Sequence, residues 1–366
     1  MKKILLCTPY EGISGSNIGG IAVWAKAIVA QSRLDGGDVE LLIESIDRKT
    51  YVRGVGKLMR LLSGVKEYIS LVGKVKKRIK HESPDVLHLC TTASLGLLKD
   101  YFILRYARSK GVATALHFHC GRLPEIIAKG NWETRLLRRV MKYTTVPVVM
   151  DACSHKALAE WGISSVVNLP NPLSAFVSEK AAQMKHAVMR VPRRLLFVGH
   201  VVDIKGVYEL VEACTGMTGI ELRMVGHVED NVRGDLVDIS SKRKGDWLVF
   251  TGGLSREDTI REILAADILV APSYIEGFPN VIIEAMACGT PVVASKVGAI
   301  PEMLDYGNCG ILIEPRNADA ICSAVSGLLD NEELKASFSA KSMERVNDVY
   351  SMHTVWSQMV SIWKNI

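Results

Sequence analysis

The 366-residue chain contains no run approaching the ~18–20 apolar residues that a membrane span requires. Its eight cysteines form no C-x-x-C pair, and no Cys/His spacing supports a zinc site. Scattered cysteines of this kind are expected to be reduced thiols of a cytosol. Aromatic residues are few, at 6% of the chain. They are sparse in the one strongly basic stretch, which argues against nucleic acid as a partner. No G-x-G-x-x-G follows the first apolar run, where the glycines stand at 12, 15, 19 and 20. That spacing counts against a nicotinamide-dependent dehydrogenase. No Asp-x-Asp stands at a strand end to hold a metal, so a metal site is not expected. The start, Met1-Lys2-Lys3-Ile4-Leu5-Leu6-Cys7-Thr8-Pro9, has an apolar run of four residues, against the ~7–15 of a signal peptide. A first buried strand is expected there, in a cytoplasmic protein held at most peripherally at the inner face of the membrane.

What is present is a globular composition, 48% hydrophobic and 23% charged, in a length suited to two domains of about 150–190 residues. Net charge is +6 and unevenly placed: Lys49 to Lys80 holds ten basic residues and one acidic residue, Glu67. Such a stretch is either a solvated helix face or a surface for anionic lipid or a charged acceptor.

Short apolar runs alternate with helical periodicities. Strands are expected at 3–8, 39–44, 86–89, 112–117 and 146–149, with amphipathic helices such as 21–33 and 94–109 between them. The pattern restarts with strands at 194–199, 220–225, 247–250, 267–271, 291–294 and 310–313. This alternation predicts α/β architecture with parallel sheets. The expected domains are 1–175 and 193–345, joined by a linker at 176–192 with some helix in it. Residues 346–366, with Trp356, Met359, Val360, Ile362 and Trp363 on a helical period, form a terminal helix docking on the body.

The most informative stretch runs from Pro272 to Pro291, PSYIEGFPNVIIEAMACGTP. It follows an apolar strand. Gly277 permits a tight turn, Asn280 can cap a helix, and Gly289 can end it. Loop amides and the helix N-terminus make an anion site. Glu276 and Glu284 suit hydroxyl donors such as those of sugars, since ionised carboxylates only accept. Alone, the pair would fit an ordinary surface loop.

The Glu276 to Glu284 spacing matches E-x7-E, and Asp267, Pro272-Ser273, Gly289-Thr290-Pro291, Gly298, Pro301 and Glu302 stand where a family would have them. In these residues the chain resembles the family-4 retaining glycosyltransferases, strongly over about 194–330. The resemblance implies a GT-B fold, two Rossmann-like doubly wound domains facing across a cleft. It implies that Glu284 binds the donor ribose and that Glu276 lies near the transferred sugar. Backbone amides around Gly277, Phe278, Pro279 and Asn280 would meet sugar and phosphate. In Gly199-His200-Val201-Val202-Asp203-Ile204-Lys205-Gly206, Lys205 and Gly206 match the family's diphosphate grip, while His200 stands where the family usually has Arg. That departure weakens one phosphate contact and makes binding pH-dependent. Gly19 and Gly20 resemble the family's first-domain loop. His119 matches a histidine near the donor sugar, with His117 expected to be packed. Gly226 and Gly252 follow strands and would offer backbone groups to the base.

The expected activity is therefore metal-independent, retaining transfer from a UDP- or GDP-linked sugar, with no cofactor beyond that co-substrate. The acceptor is expected to be a glycan or lipid-linked molecule of bacterial polysaccharide or glycolipid assembly. An anionic membrane surface would be met through 49–80. The alternatives are a sugar-nucleotide epimerase of the same fold and a catalytically silent assembly subunit, the latter kept open by His200.

Overall fold

The computed structural model describes residues 1–10, 20–37, 39–47 and 57–366. Contacts divide the chain into two units. Unit 1 is Met1–Pro172 with Met352–Ile366, and unit 2 is Leu173–Ser351.

In unit 1, β1 (Lys2–Thr8), β2 (Val39–Ser45), β3 (Val86–Thr91), β4 (Ala113–Phe118), β5 (Val146–Val149) and β6 (Val167–Asn168) form a parallel sheet of order β2-β1-β3-β4-β5-β6. The connections carry α1 (Gly20–Leu34), α2 (Lys57–Glu82), α3 (Gly96–Ser109), α4 (Leu123–Lys129), α5 (Trp132–Met141) and α6 (Ala152–Glu160). Parallel sheets are covered on both faces, which is why β1 is a nearly unbroken apolar run. Alternate residues go to opposite faces. Leu5 and Cys7 join a core with Leu71, Val75 and Ile79 of α2, while Ile4 and Leu6 join one with Trp24 and Ile28 of α1.

In unit 2, α7 (Ala175–Met184) precedes β7 (Arg194–Val198), α8 (Val207–Thr215), β8 (Glu221–Val225), α9 (Asp230–Ser240) and β9 (Leu248–Gly252). The second half is α10 (Arg256–Ala265), β10 (Ile268–Ala271), α11 (Asn280–Ala287), β11 (Val292–Ser295), α12 (Ile300–Met303), β12 (Ile311–Ile313), α13 (Ala318–Leu329) and α14 (Glu332–Arg345). The sheet is parallel, ordered β12-β11-β10-β7-β8-β9. Strand order reverses at β7, which lies between β10 and β8. Ligands of open parallel sheets sit beyond the carboxyl ends at such a point.

The expected linker at 176–192 is largely part of unit 2. Ser174 caps α7 by accepting from the Val177 amide, and Val177, Ala181 and Met184 bury themselves in that unit's core. The chain end also divides differently from the expected 346–366 element. Val346 and Tyr350 stay in the core of unit 2, whereas α15 (Met352–Lys364) belongs to unit 1. There Val355, Trp356, Met359, Val360 and Trp363 pack in the same core as Ile4, Leu6 and Trp24. No described helix is long and apolar enough to cross a membrane.

Candidate active site

The turns after β7 and β10 bring the first two predicted residues of unit 2 together. Lys205 ends a short 3-10 turn, Asp203–Lys205, held against the β10 turn by a hydrogen bond from the Tyr274 amide to the Ile204 carbonyl, 2.9 Å. The Lys205 ammonium lies 2.5 Å from Glu276 Oε1, and the buried Ser273 hydroxyl donates to the same oxygen at 2.9 Å. Glu276 is 15% exposed and Lys205 28%, so the pair is reachable from solvent. Space behind the Glu276 turn is closed by backbone. A Cβ on Gly298, whose φ is +54°, would come within 2.2 Å of the Glu276 carbonyl oxygen, so only glycine fits there.

Glu284 lies one turn into α11. It receives a 3.4 Å contact from Arg256 Nη2, which also donates to Ser174 Oγ at 3.0 Å. Burial raises the Glu284 carboxyl above the usual carboxylate range, and Arg256 offsets part of that rise. Arg256 was not anticipated, although its place just after the β9 turn was the available signal. Asn280 is the first residue of α11 rather than its cap. Pro279 holds the cap position and makes no side-chain cap bond. Phe278 turns its ring to Tyr350, with centroids 5.8 Å apart, and Gly277 accepts from the Ala299 amide at 2.9 Å.

The glycine turns after β7, β8 and β9 are stitched edge to edge. Gly199 N donates to Val225 O and Gly226 N to Gly252 O, both at 2.9 Å. A Cβ on Gly226 would come within 1.9 Å of the Gly199 carbonyl oxygen, which fixes glycine at that crossing. His200 is exposed beside exposed His227, with ring centroids 6.3 Å apart. His227 is a second imidazole at this edge, outside the expected donor-binding residues.

In unit 1, Gly19 lies outside the described residues, and Gly20 opens α1 at the surface. His119 follows β4, its amide donating to the Thr91 carbonyl at 2.8 Å. Its ring centroid is 4.1 Å from that of His117 and 4.7 Å from that of Trp24. Burial lowers His88 and His119 to about 3 and His117 well below its ordinary value, so all three are neutral. Ligand atoms of His88, Cys90 and His117 lie within 4.8 Å of one another, a geometry that could admit a metal. Hydrogen bonding already takes both nitrogens of His88 and the Nδ1 of His117, and burial pushes the Cys90 thiol up to about 12. A cavity of about 440 Å³ opens at the carboxyl ends of β1, β2 and β3, lined among others by Ile46, Tyr68, Cys90, Thr91, Ser94 and Lys99.

The expected basic face is partly spent internally. Residues 48–56 lie outside the described residues. Lys74 pairs with Glu44, and Arg78 with Glu44 and Glu82. Lys66, Lys77 and Lys80 stay exposed, beside exposed Val65 and Ile69.

Residues 192–331 match the family model described as Glycosyl transferases group 1. A relative from Mycolicibacterium hassiacum, described as an MMP alpha-(1->4)-mannosyltransferase, is 30% identical over 180 residues, 48% of this chain and 44% of the relative. The chain spans about half the length of the curated relatives it matches. Among solved structures, a sucrose-phosphate synthase from Thermosynechococcus elongatus has a TM-score of 0.78 at 18% identity, covering 100% of this chain and 99% of its own. HepE of Anabaena, in complex with UDP, has a TM-score of 0.75 at 15% identity, with 100% of both chains covered. The fold is the GT-B fold that these solved structures share, and residues 192–331 are similar to the glycosyl transferases group 1 family.

Proposed function

We propose that the chain transfers a sugar from a nucleotide-diphosphate donor, held by unit 2, to an acceptor hydroxyl, with retention and without a metal. The observation that carries this reading is the grouping of Lys205, Ser273 and Glu276 at the strand-order reversal, with Glu284 one turn beyond. The family match of the surrounding domain supports it, and the UDP complex of HepE favours a UDP-linked donor.

The chemistry follows from charge. As the diphosphate leaves, negative charge builds on its oxygens, and fixed cations and dipoles stabilise it. Lys205, His200 and the amides of 277–280 supply these. A diphosphate competes with Glu276 for the Lys205 ammonium. The carboxylate so released accepts from the transferred sugar's hydroxyls, while Glu284 accepts from the ribose. The bond from the anomeric carbon to the phosphate oxygen breaks as the bond to the acceptor oxygen forms on the same face. The acceptor proton passes to the departing phosphate. Glu276 is not a covalent nucleophile in this scheme. Titration with UDP-, GDP- and ADP-sugars, chelator present, tests the donor assignment.

The acceptor belongs to unit 1. Its cavity combines apolar walls (Ile21, Ile46, Leu71) with Thr91, Ser94 and Lys99, which suits a molecule with apolar and hydroxylated parts. Nearby surface fits an anionic membrane. Lys66, Lys77 and Lys80 of α2 are exposed, and α3 beside it exposes Leu98 and Phe102, with exposed Leu95 at its cap. A lipid-linked acceptor at the inner leaflet, in polysaccharide or glycolipid assembly, fits both features.

A further inference from the structure

The apolar core of unit 1 beneath α1 and α15 contains a line of polar rings that hydrophobic packing does not require. His88 on β3 and His117 on β4 are both 0% exposed. They share a region with Trp24 and Trp363, whose rings lie against His88 at centroid distances of 6.2 Å and 5.7 Å. Trp363 Nε1 donates to His88 Nδ1 at 2.9 Å, and His88 Nε2 lies 3.2 Å from His117 Nδ1.

The direction of this chain is not free. An indole nitrogen donates and never accepts. His88 Nδ1 must therefore accept, and the neutral ring carries its proton on Nε2. That proton faces His117 Nδ1, which must accept in turn, so the His117 proton also sits on Nε2. Which nitrogen of an imidazole is protonated is set by the hydrogen bond made at the other. Here the setting begins at Trp363, 275 residues from His88 in sequence.

The far end of the chain is unmet. His117 Nε2 is buried with no hydrogen-bond partner among the described residues, and so are His119 Nε2 and Trp24 Nε1. These nitrogens belong to rings whose centroids lie 4.1, 4.7 and 5.2 Å apart. Buried polar groups nearly always have partners, so the Nε2–H of His117, left unmet at the end of the line, is a donor available to an oxygen atom.

We propose that Trp363 is a positioning residue: through His88 it fixes His117 as an Nε2–H donor beside His119 and Trp24, at the carboxyl edge of the first sheet. The terminal helix α15 then does more than cover the core. It sets the polarity of a hydrogen-bond line running to the end of β4. The consequence for turnover rests on the glycosyltransferase reading, whereas the tautomers do not.

Nitrogen-15 NMR of histidine-labelled full-length protein tests this, with resonances assigned through His88→Gln and His117→Gln. The wild type is expected to show His88 and His117 each as a single Nε2–H tautomer. Trp363→Phe keeps a buried ring but removes the donor, and is expected to leave both histidines as tautomer mixtures. It should also lower turnover of the nucleotide-sugar donor about tenfold, with donor KM unchanged, the scale of losing a partner that orients a functional group. An Nδ1–H tautomer at His88 or His117 in the wild type overturns the relay, and needs no variant. Unchanged tautomers in Trp363→Phe reduce Trp363 to packing. Shifted tautomers with full turnover overturn the positioning role. A wild type that turns over no donor counts against the enzymatic reading, and the tautomers then decide the relay alone.

Discussion

Lys205 and Glu276 stand 71 residues apart in sequence and 2.5 Å apart in space, on the turns that follow β7 and β10. They form an ion pair, and each is assigned a different part of the donor. Both side chains are partly exposed, so the ion pair adds only about 1 kcal/mol or less to stability. Its value lies in the site. Lys205→Ala is expected to lower turnover about 100-fold, the scale of losing one donor to developing charge, with little change in thermal stability. Lys205→Ala and Glu276→Ala combined should cost less than the sum of the two, because each disturbs the other's position. Steady-state kinetics of the two single variants and the double variant check this, and strict additivity would sink the coupling.

Glu284 is held at a cost. Burial raises its folded-state pKa above the unfolded value, so the folded protein binds more protons than the unfolded chain between those two values. Stability contributed there is present at low pH and lost as pH rises through the window. Glu284→Gln removes that charge and is expected to raise Tm at pH 7, to change it less near pH 4, and to weaken donor binding. Thermal melts at the two pH values decide the first part. A lower Tm at pH 7 would contradict it.

The buried histidines of unit 1 run the opposite way. His88 and His119 fall to about 3 from an ordinary value near 6.5, so the unfolded chain binds the extra protons between those limits. Their contribution to stability is complete above pH 6.5 and erodes as pH falls toward 3. Urea midpoints from pH 7.5 to 4 should decline, and His88→Gln should flatten the slope. An unchanged slope in that variant would show that the fold leaves the proton affinity of His88 unshifted.

The exposed face of α2 makes a prediction that separates its charges. Reversing Lys66, Lys77 and Lys80 to Glu should abolish sedimentation with vesicles of anionic lipid in low salt. Reversal of Lys74 alone should cost fold stability, since that charge is committed to Glu44. At about 1 kcal/mol per basic residue near a charged surface, losing three is more than a 100-fold effect. Binding indifferent to salt and to the triple change would exclude the surface.

Much of unit 2's site was legible because its elements are local. Gly277 and Gly289 bracket a turn and helix within one short stretch, and apolar runs marked β10 and β11 on either side of it. What stayed hidden depends on distant partners. Arg256 reaches Glu284 through the fold, and only its place just after the β9 turn hints at that. His227 is paired to His200 only by strand adjacency. Trp363 looked like one more apolar position on a terminal helix, because periodicity reports burial and not the hydrogen bond of an indole. The 176–192 stretch resembled a linker by composition, yet a Ser174 cap and three buried side chains made helix α7. Asn280 fits a cap by residue type, but Pro279 before it takes the extended conformation that a cap requires.

The central claim is that unit 2 binds a nucleotide-diphosphate sugar through Glu284 and Lys205 without a metal. Calorimetric titration of UDP-, GDP- and ADP-sugars into the full chain, in chelator, measures it most directly, with Glu284→Ala as the paired sample. One nucleotide series is expected to bind, UDP first, with affinity falling at least about tenfold in the variant, the scale of a lost charged hydrogen bond. Binding that requires added metal, binding indifferent to Glu284→Ala, or no binding of any series would contradict it.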